Sequence, residues 1–240
     1  MKKTVLVLLF SAVALSGCKC SYSGSSSSGD SGNTGNDKND GTKQNDDDVE
    51  VIKLPDPDTT GGMPLETALK LRKSVRSWNG QSLTMDQISQ LFWAAQGITH
   101  SGNRKTAPSA GAKYPIEIYA ATHELLYHYL PDNHEAATVS KGDIAGRLKP
   151  TAQDFIASAP VVFVITGVYA RTEEKYGGRA QRYVRLEAGH VAQNILLQAV
   201  TLDLGAVPVG AFNDEDVKKV LGLEKDHEPL YLIPVGFPSD

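Results

Sequence analysis

Apolar positions recur at helical spacing from residue 63, where Leu65, Ala68 and Leu69 form a stripe, and the pattern predicts an amphipathic helix over 63–77. A second helix is predicted after Thr84, whose hydroxyl forms a capping box with Gln87; Met85, Ile88, Leu91, Phe92 and Ala95 follow at helical spacing up to a stop at Gly97. Residues 116–121 and 126–130 read as two strands of a hairpin that turns at Thr122, His123 and Glu124. Residues 161–168, VVFVITGV, are continuously apolar and rich in β-branching, which predicts a strand covered on both faces at the centre of a sheet. A long helix is predicted over 183–202. Val184, Ala188, Val191, Ala192, Ile195 and Ala199 turn inward, and Leu196, Leu197 and Val200 make its other side apolar too, so it belongs in a thick core or against a second subunit. Residues 206–212 and 230–237 read as the last strands, separated by a helix over Asp214–Leu221 that Asn213 can cap. Together these elements predict an α+β domain with a central mixed sheet flanked by helices on both faces.

The start of the chain breaks this pattern. Lys2 and Lys3 precede an apolar run from Val5 to Leu15, then Ser16 and Gly17 before Cys18, which reads as a secretory signal over 1–17. Leu15-Ser16-Gly17-Cys18 resembles the lipobox of bacterial lipoproteins, which implies cleavage before Cys18 and lipidation of its thiol. Residues 18–60 are rich in Ser, Gly, Asn and Asp with almost nothing to bury, and are expected to form a flexible tether. A folded domain over 61–240 would then be held at the bacterial cell envelope, outside the cytoplasm, touching the membrane only through its lipid. Both cysteines, Cys18 and Cys20, lie in this leader, which leaves the domain no thiolate nucleophile, disulfide framework or cysteine metal site. The net charge of −4 comes partly from the Asp-rich spacer and gives no basic footprint for nucleic acid. His128 has no second ligand at metal spacing and is read as structural.

Candidate chemistry concentrates in five stretches. Arg72, Lys73 and Arg76 surround the hydroxyl of Ser74, which suits a phosphate or merely ends a solvated helix. Residues 106–112, TAPSAGA, form a loop of small side chains that lets backbone amides approach a flat ligand. Pro208 and Gly210 interrupt strand-like sequence and free amides from the ladder. Lys175 and Tyr176 stand side by side in a predicted glycine-containing loop, a pairing suited to proton transfer. Glu187 and His190, at i and i+3 on the long helix, could form a proton relay or a buried hydrogen-bonded pair.

Taken in order, these stretches resemble the nitroreductase-like FMN flavoprotein superfamily, and within it the SagB-type branch of thiazole/oxazole-forming dehydrogenases. The resemblance runs from GGMPLETALKLRKSVRSWNG through TAPSAGAKYPIEIY and KYGGRAQRYVRLEAGHVAQN to VPVGAF and PLYLIPVGFP. It implies an FMN-binding homodimer with each flavin at the subunit interface. The family's Arg-x-Ser-x-Arg flavin motif falls on Arg72, Ser74 and Arg76, with Lys73 between them. Pro108, Ser109, Ala110 and Gly111 match the loop that approaches the flavin, and Pro208, Val209 and Gly210 the segment that presents an amide to its N5 region. Lys175 and Tyr176 match the pair that removes a proton while hydride passes to FMN.

Three departures matter. Ala112 stands where many members have asparagine; many members also continue past the last strand to basic residues that bind the phosphate, a task expected to fall more on Arg72 and Arg76 here. Azole-forming enzymes usually work in the cytoplasm, whereas this chain carries an export signal. The expectation is an envelope-tethered, FMN-dependent oxidoreductase acting on a small-molecule or peptide substrate. The alternatives are an NAD(P)H-dependent nitro or quinone reductase and a non-catalytic ligand-binding lipoprotein.

Overall fold

The computed structural model describes residues 49–239; the predicted signal, Cys18, Cys20 and the tether as far as residue 48 lie outside the described residues. In chain order the elements are β1 (Val51–Lys53), α1 (Leu65–Leu71), α2 (Met85–Gln96), β2 (Ile98–His100), β3 (Arg104–Lys105), β4 (Ile116–Thr122), β5 (Leu125–Leu130), β6 (Glu135–Lys141), α3 (Ile144–Arg147), β7 (Val161–Gly167), α4 (Tyr169–Tyr176), α5 (Ala180–Thr201), β8 (Gly205–Ala206), α6 (Asp214–Leu221) and β9 (Glu228–Gly236). Seven strands form one sheet in the order β1-β6-β5-β4-β7-β9-β8, and all neighbouring strands are antiparallel. A parallel bridge from Ser74 to Ala206 at the β8 edge is what makes the sheet mixed.

Strand β7 explains the layering. Its alternate residues Val161, Phe163 and Ile165 enter a core beneath α2 and α5, while Val162 and Val164 enter a second core beneath α3 and α6. Every residue of the strand is buried, as the unbroken apolar run predicts, and each such Val, Ile or Phe side chain contributes about 1.5–3 kcal/mol. Phe92 of α2 locks the first core by stacking on Tyr129 at 4.9 Å and meeting Phe163 edge-on at 5.3 Å. The capping box of α2 and the Asn213 cap of α6 form as read from sequence.

Four local expectations are corrected. The helix predicted over 63–77 ends at Leu71, because the chain beyond is drawn into backbone pairing: Val75 N–H donates to Ala206 O at 3.1 Å, and the buried Trp78 indole donates to Gly205 O at 3.2 Å. Tertiary hydrogen bonding outweighs helical propensity there. The strand predicted over 206–212 is reduced to β8 and one further bridge, Val209 to Leu232, because Pro208 has no N–H to give. Lys175 and Tyr176 do not sit in a loop; they end α4, which Gly177 stops with φ of 51°.

The tether also ends sooner than residue 60. β1 pairs with β6, Leu54 is buried, and Gln90 holds the backbone of Asp58 at both its N–H (2.8 Å) and its C=O (3.0 Å). Ser89 Oγ donates to Pro55 O at 2.6 Å. The spacer-like composition of this stretch hides a segment held mainly by its backbone.

Candidate active site

The basic cluster follows α1 in extended backbone. Arg72 caps the helix, its N–H reaching Ala68 O at 2.9 Å, and Ser74 then pairs with Ala206. Val75 packs so closely on Gly205 that a β-carbon there would stand 2.7 Å from Val75 Cβ. This fixes the cluster two residues from Pro208. Arg72 is half-buried, Lys73, Ser74 and Arg76 are exposed, and the Arg76 guanidinium lies 5.8 Å from the Phe155 ring centroid. Among the described residues no ion pair involves Arg72, Lys73 or Arg76. Cations left without a counter-charge are the kind of group that recognises an anion.

The 106–112 loop is built against α4. Gly111 takes φ of 63°, which favours glycine, and a β-carbon there would come within 2.8 Å of Tyr176 Oη and 3.0 Å of Lys175 Nζ. Ala112 and Tyr114 also have positive φ, at 52° and 44°. Three ties hold this strained turn: Lys113 to Glu174 at 2.7 Å, Arg171 Nη1 to Tyr114 O at 3.2 Å, and Val168 N–H to Pro115 O at 2.8 Å. Lys175 is exposed, with Nζ 5.5 Å from the Tyr176 ring centroid, and Tyr176 meets Tyr183 edge-on at 4.9 Å. The two stretches singled out separately, residues 108–111 and 175–176, therefore belong to one place.

Beneath the loop lies Glu187, 2 % exposed. Gln96 Nε2 donates to its Oε1 at 3.5 Å, and Lys105 Nζ donates to Gln96 Oε1 at 3.1 Å. Burial pushes the Glu187 carboxyl up to about 7, while the Ser109 hydroxyl and the Lys105 charge pull the other way. Burial also lowers the Lys105 pKa, against the charges of Glu117, Asp132 and Glu187. His190 is exposed and makes no bond to Glu187, so neither the buried pair nor the relay read from the sequence forms. Gln96, Lys105 and Tyr183 escaped the sequence reading. One signal was available, because Glu187 occupies the i+3 position of the inward stripe that Val184 begins and Ala188 and Val191 continue.

The two halves of the site lie along α5. Ser109 and Glu187 flank its first third, whereas β8 follows its end, roughly 20 Å further along the axis at 1.5 Å per residue. Val209 and Gly210 lead back: they run beside β9 to a groove of about 340 Å³ lined by Arg185, Ala188, Gly210, Phe212 and Tyr231.

The nitroreductase family model matches residues 69–237. A Methanocaldococcus jannaschii protein named as a nitroreductase is 40 % identical over 197 residues, covering 79 % of this chain and 97 % of that protein. A crystal structure assigned as a nitroreductase from Ralstonia eutropha superposes with a TM-score of 0.74 at 34 % identity, covering 79 % of this chain and 90 % of its own. Another, from Anabaena variabilis, gives 0.70 at 26 % identity over 80 % of this chain and 42 % of the longer one. On a family model that covers most of the chain and a relative 40 % identical over nearly its whole length, the chain belongs to the nitroreductase family of oxidoreductases.

Proposed function

We propose that the chain is an FMN-dependent oxidoreductase of the SagB type, a homodimer anchored to the cell envelope through a lipid on Cys18. The observation that carries the catalytic part is the Gly111 contact: the flavin-approaching loop of the family lies directly against the Lys175 and Tyr176 side chains. The residues present fit FMN at its phosphate, whose dianionic charge suits Arg72, Lys73 and Arg76 next to Ser74. Bound FMN would supply the two-electron chemistry, accepting or giving hydride at N5.

The chain's own residues would bind, orient and manage the proton. Lys175 Nζ takes the proton that a substrate loses on dehydrogenation, or returns one on reduction, and Tyr176 Oη assists from the same contact with Gly111. The amide left to orient a ligand is that of Gly210, because Pro208 has no N–H and the Val209 N–H, against the sequence expectation, donates to Leu232 O at 2.8 Å. Dimerisation is supported by Leu65, Leu69 and Leu71 of α1, each more than half exposed, with Leu65 at an open groove of about 550 Å³ that Trp93 and Leu197 also line.

The test is to purify the protein, add FMN and record its visible spectrum under reductants. Bleaching by a substrate with a removable proton, and not by a reduced nicotinamide, supports this reading. Bleaching by the nicotinamide favours an NAD(P)H-fed nitro or quinone reductase, the reading suggested by the M. jannaschii relative's name. A protein that stays colourless leaves a ligand-binding lipoprotein.

A further inference from the structure

Residues 49–58 lie along the β6 edge of the sheet as an arm, and His134, in the turn between β5 and β6, meets that arm twice. Its carbonyl accepts the Leu54 N–H at 3.2 Å, and its Nε2 lies 2.9 Å from Pro55 O and 2.8 Å from Ser89 Oγ. On the other side of the ring, Nδ1 lies 2.9 Å from Tyr129 Oη. Ser89 Oγ gives its own proton to Pro55 O at 2.6 Å, so both oxygens facing Nε2 accept and Nε2 carries the ring proton. Nδ1 is then the bare nitrogen that accepts the Tyr129 hydroxyl proton. One neutral tautomer satisfies every group. We propose that His134 is a proton-operated latch on the 49–58 arm: the neutral ring holds the arm against the sheet, and the imidazolium releases it. The inference stands apart from the FMN reading above.

A second ring proton has no place in this arrangement. It would point from Nδ1 at Tyr129 Oη and force the phenol proton to turn away. Tyr129 is 2 % exposed, its ring is stacked on Phe92, and its hydroxyl has no other hydrogen bond among the described residues. Leaving such a buried donor unpaired costs about 1–3 kcal/mol. Burial also holds the phenol well above its ordinary range, so it does not ionise to pair with an imidazolium. Desolvation is the largest influence on His134 and lowers its proton affinity; the Pro55 carbonyl and Asp56 of the arm pull the other way, Lys53 of β1 adds to the lowering, and α2 offers only the neutral Ser89. When the arm lifts, the ring passes to water, where imidazole takes up a proton near about pH 6.5. Docking is therefore complete above that value and weakens as pH falls through it. Once free, residues 49–58 span up to about 33 Å at about 3.3 Å per residue, which lengthens the connection to whatever precedes them.

The experiment follows backbone hydrogen–deuterium exchange in the full chain, corrected for the intrinsic pH dependence of exchange, for the wild type, His134→Gln and His134→Asn. Neither variant side chain titrates, and asparagine tolerates the positive φ of 53° at this position. From about pH 7 to about pH 5.5 the wild-type amides of Leu54 and Thr138, which donate to His134 O and Glu50 O, should lose about fivefold in protection, within the roughly tenfold per pH unit that one proton allows. The amides of β7 should lose none. In both variants the protection of Leu54 and Thr138 should not change with pH. Unchanged wild-type protection overturns the inference, as does an equal pH response in either variant, and so does a loss shared by β7, the mark of general unfolding. Should both variants fail to fold, the wild type decides alone: the nuclear magnetic resonance of His134 Cε1–H should titrate with a midpoint below 6.5, and a midpoint at or above that value overturns the latch.

Discussion

The 72–76 cluster and the Glu187 network hold charge in opposite settings. Arg72, Lys73 and Arg76 have no ion-pair partner among the described residues, and with Lys73 and Arg76 exposed and Arg72 half-buried, water can solvate them at little cost to the fold. Glu187 and Gln96 are removed from water and must satisfy each other, with the half-buried Lys105 bonded to Gln96. Exposed charge is free to act on what binds, whereas buried charge acts on the protein that holds it. Substitutions in the first region should therefore register in binding or turnover, and in the second region in stability and its pH dependence.

Lys175 is exposed and tests this distinction most severely. Lys175→Ala should retain FMN and melt normally yet lose about 10²–10⁴-fold in turnover, the usual scale for a lost general acid or base; unchanged turnover would remove it from the mechanism. Next comes Glu187→Gln, read by urea unfolding at several pH values. The unfolded carboxyl titrates near 4.5 and the folded one at about 7, so between these values the unfolded chain gives up a proton that the folded one keeps. Wild-type stability should fall as pH rises through that window, by at most about 3 kcal/mol, and level off above it. The Gln variant should show no such fall.

Arg72→Ala should weaken FMN binding by about 10–100-fold, the loss expected for a charge-assisted bond, with an unchanged melting temperature. Wild-type affinity should also decline with added salt. A matching stability loss in Arg72→Ala would erase the contrast between the two regions. The smallest effect is expected at Gly111→Ala. Its left-handed backbone costs about 1 kcal/mol of stability, measured by denaturant midpoint, because the atoms it meets are flexible side-chain ends. Its turnover should fall further than its stability, since those ends are Lys175 Nζ and Tyr176 Oη.

What could be read beforehand follows from how local each signal is. The fully covered strand β7, the capped helices α2 and α6 and the break at Pro208 were legible because each is set by neighbours in sequence. β6 and β1 were not, because EAATVSK and VIK carry little apolar pattern and are strands only through backbone pairing with distant segments. The early end of α1 was hidden for the same reason. At the site, the motif residues could be named but their pairing could not. Nothing in the spacing of Gly111 and Tyr176 says that a missing β-carbon in one leaves room for the phenol of the other. Glu187 was noticed for the wrong partner, since a helix i, i+3 rule cannot foresee the Gln96 amide arriving from another helix.

The docking of β1 has a mechanical consequence. A pull along the preceding chain reaches the domain through a strand laid antiparallel along β6, so bonds such as Thr138 N–H to Glu50 O and Leu54 N–H to His134 O resist in shear. Behind them the Gln90 amide grips Asp58 at both backbone groups. Force entering ahead of residue 49 is thus spent at the far edge of the sheet, with β6, β5, β4, β7 and β9 standing between it and the Ala206 edge where the basic cluster is fastened.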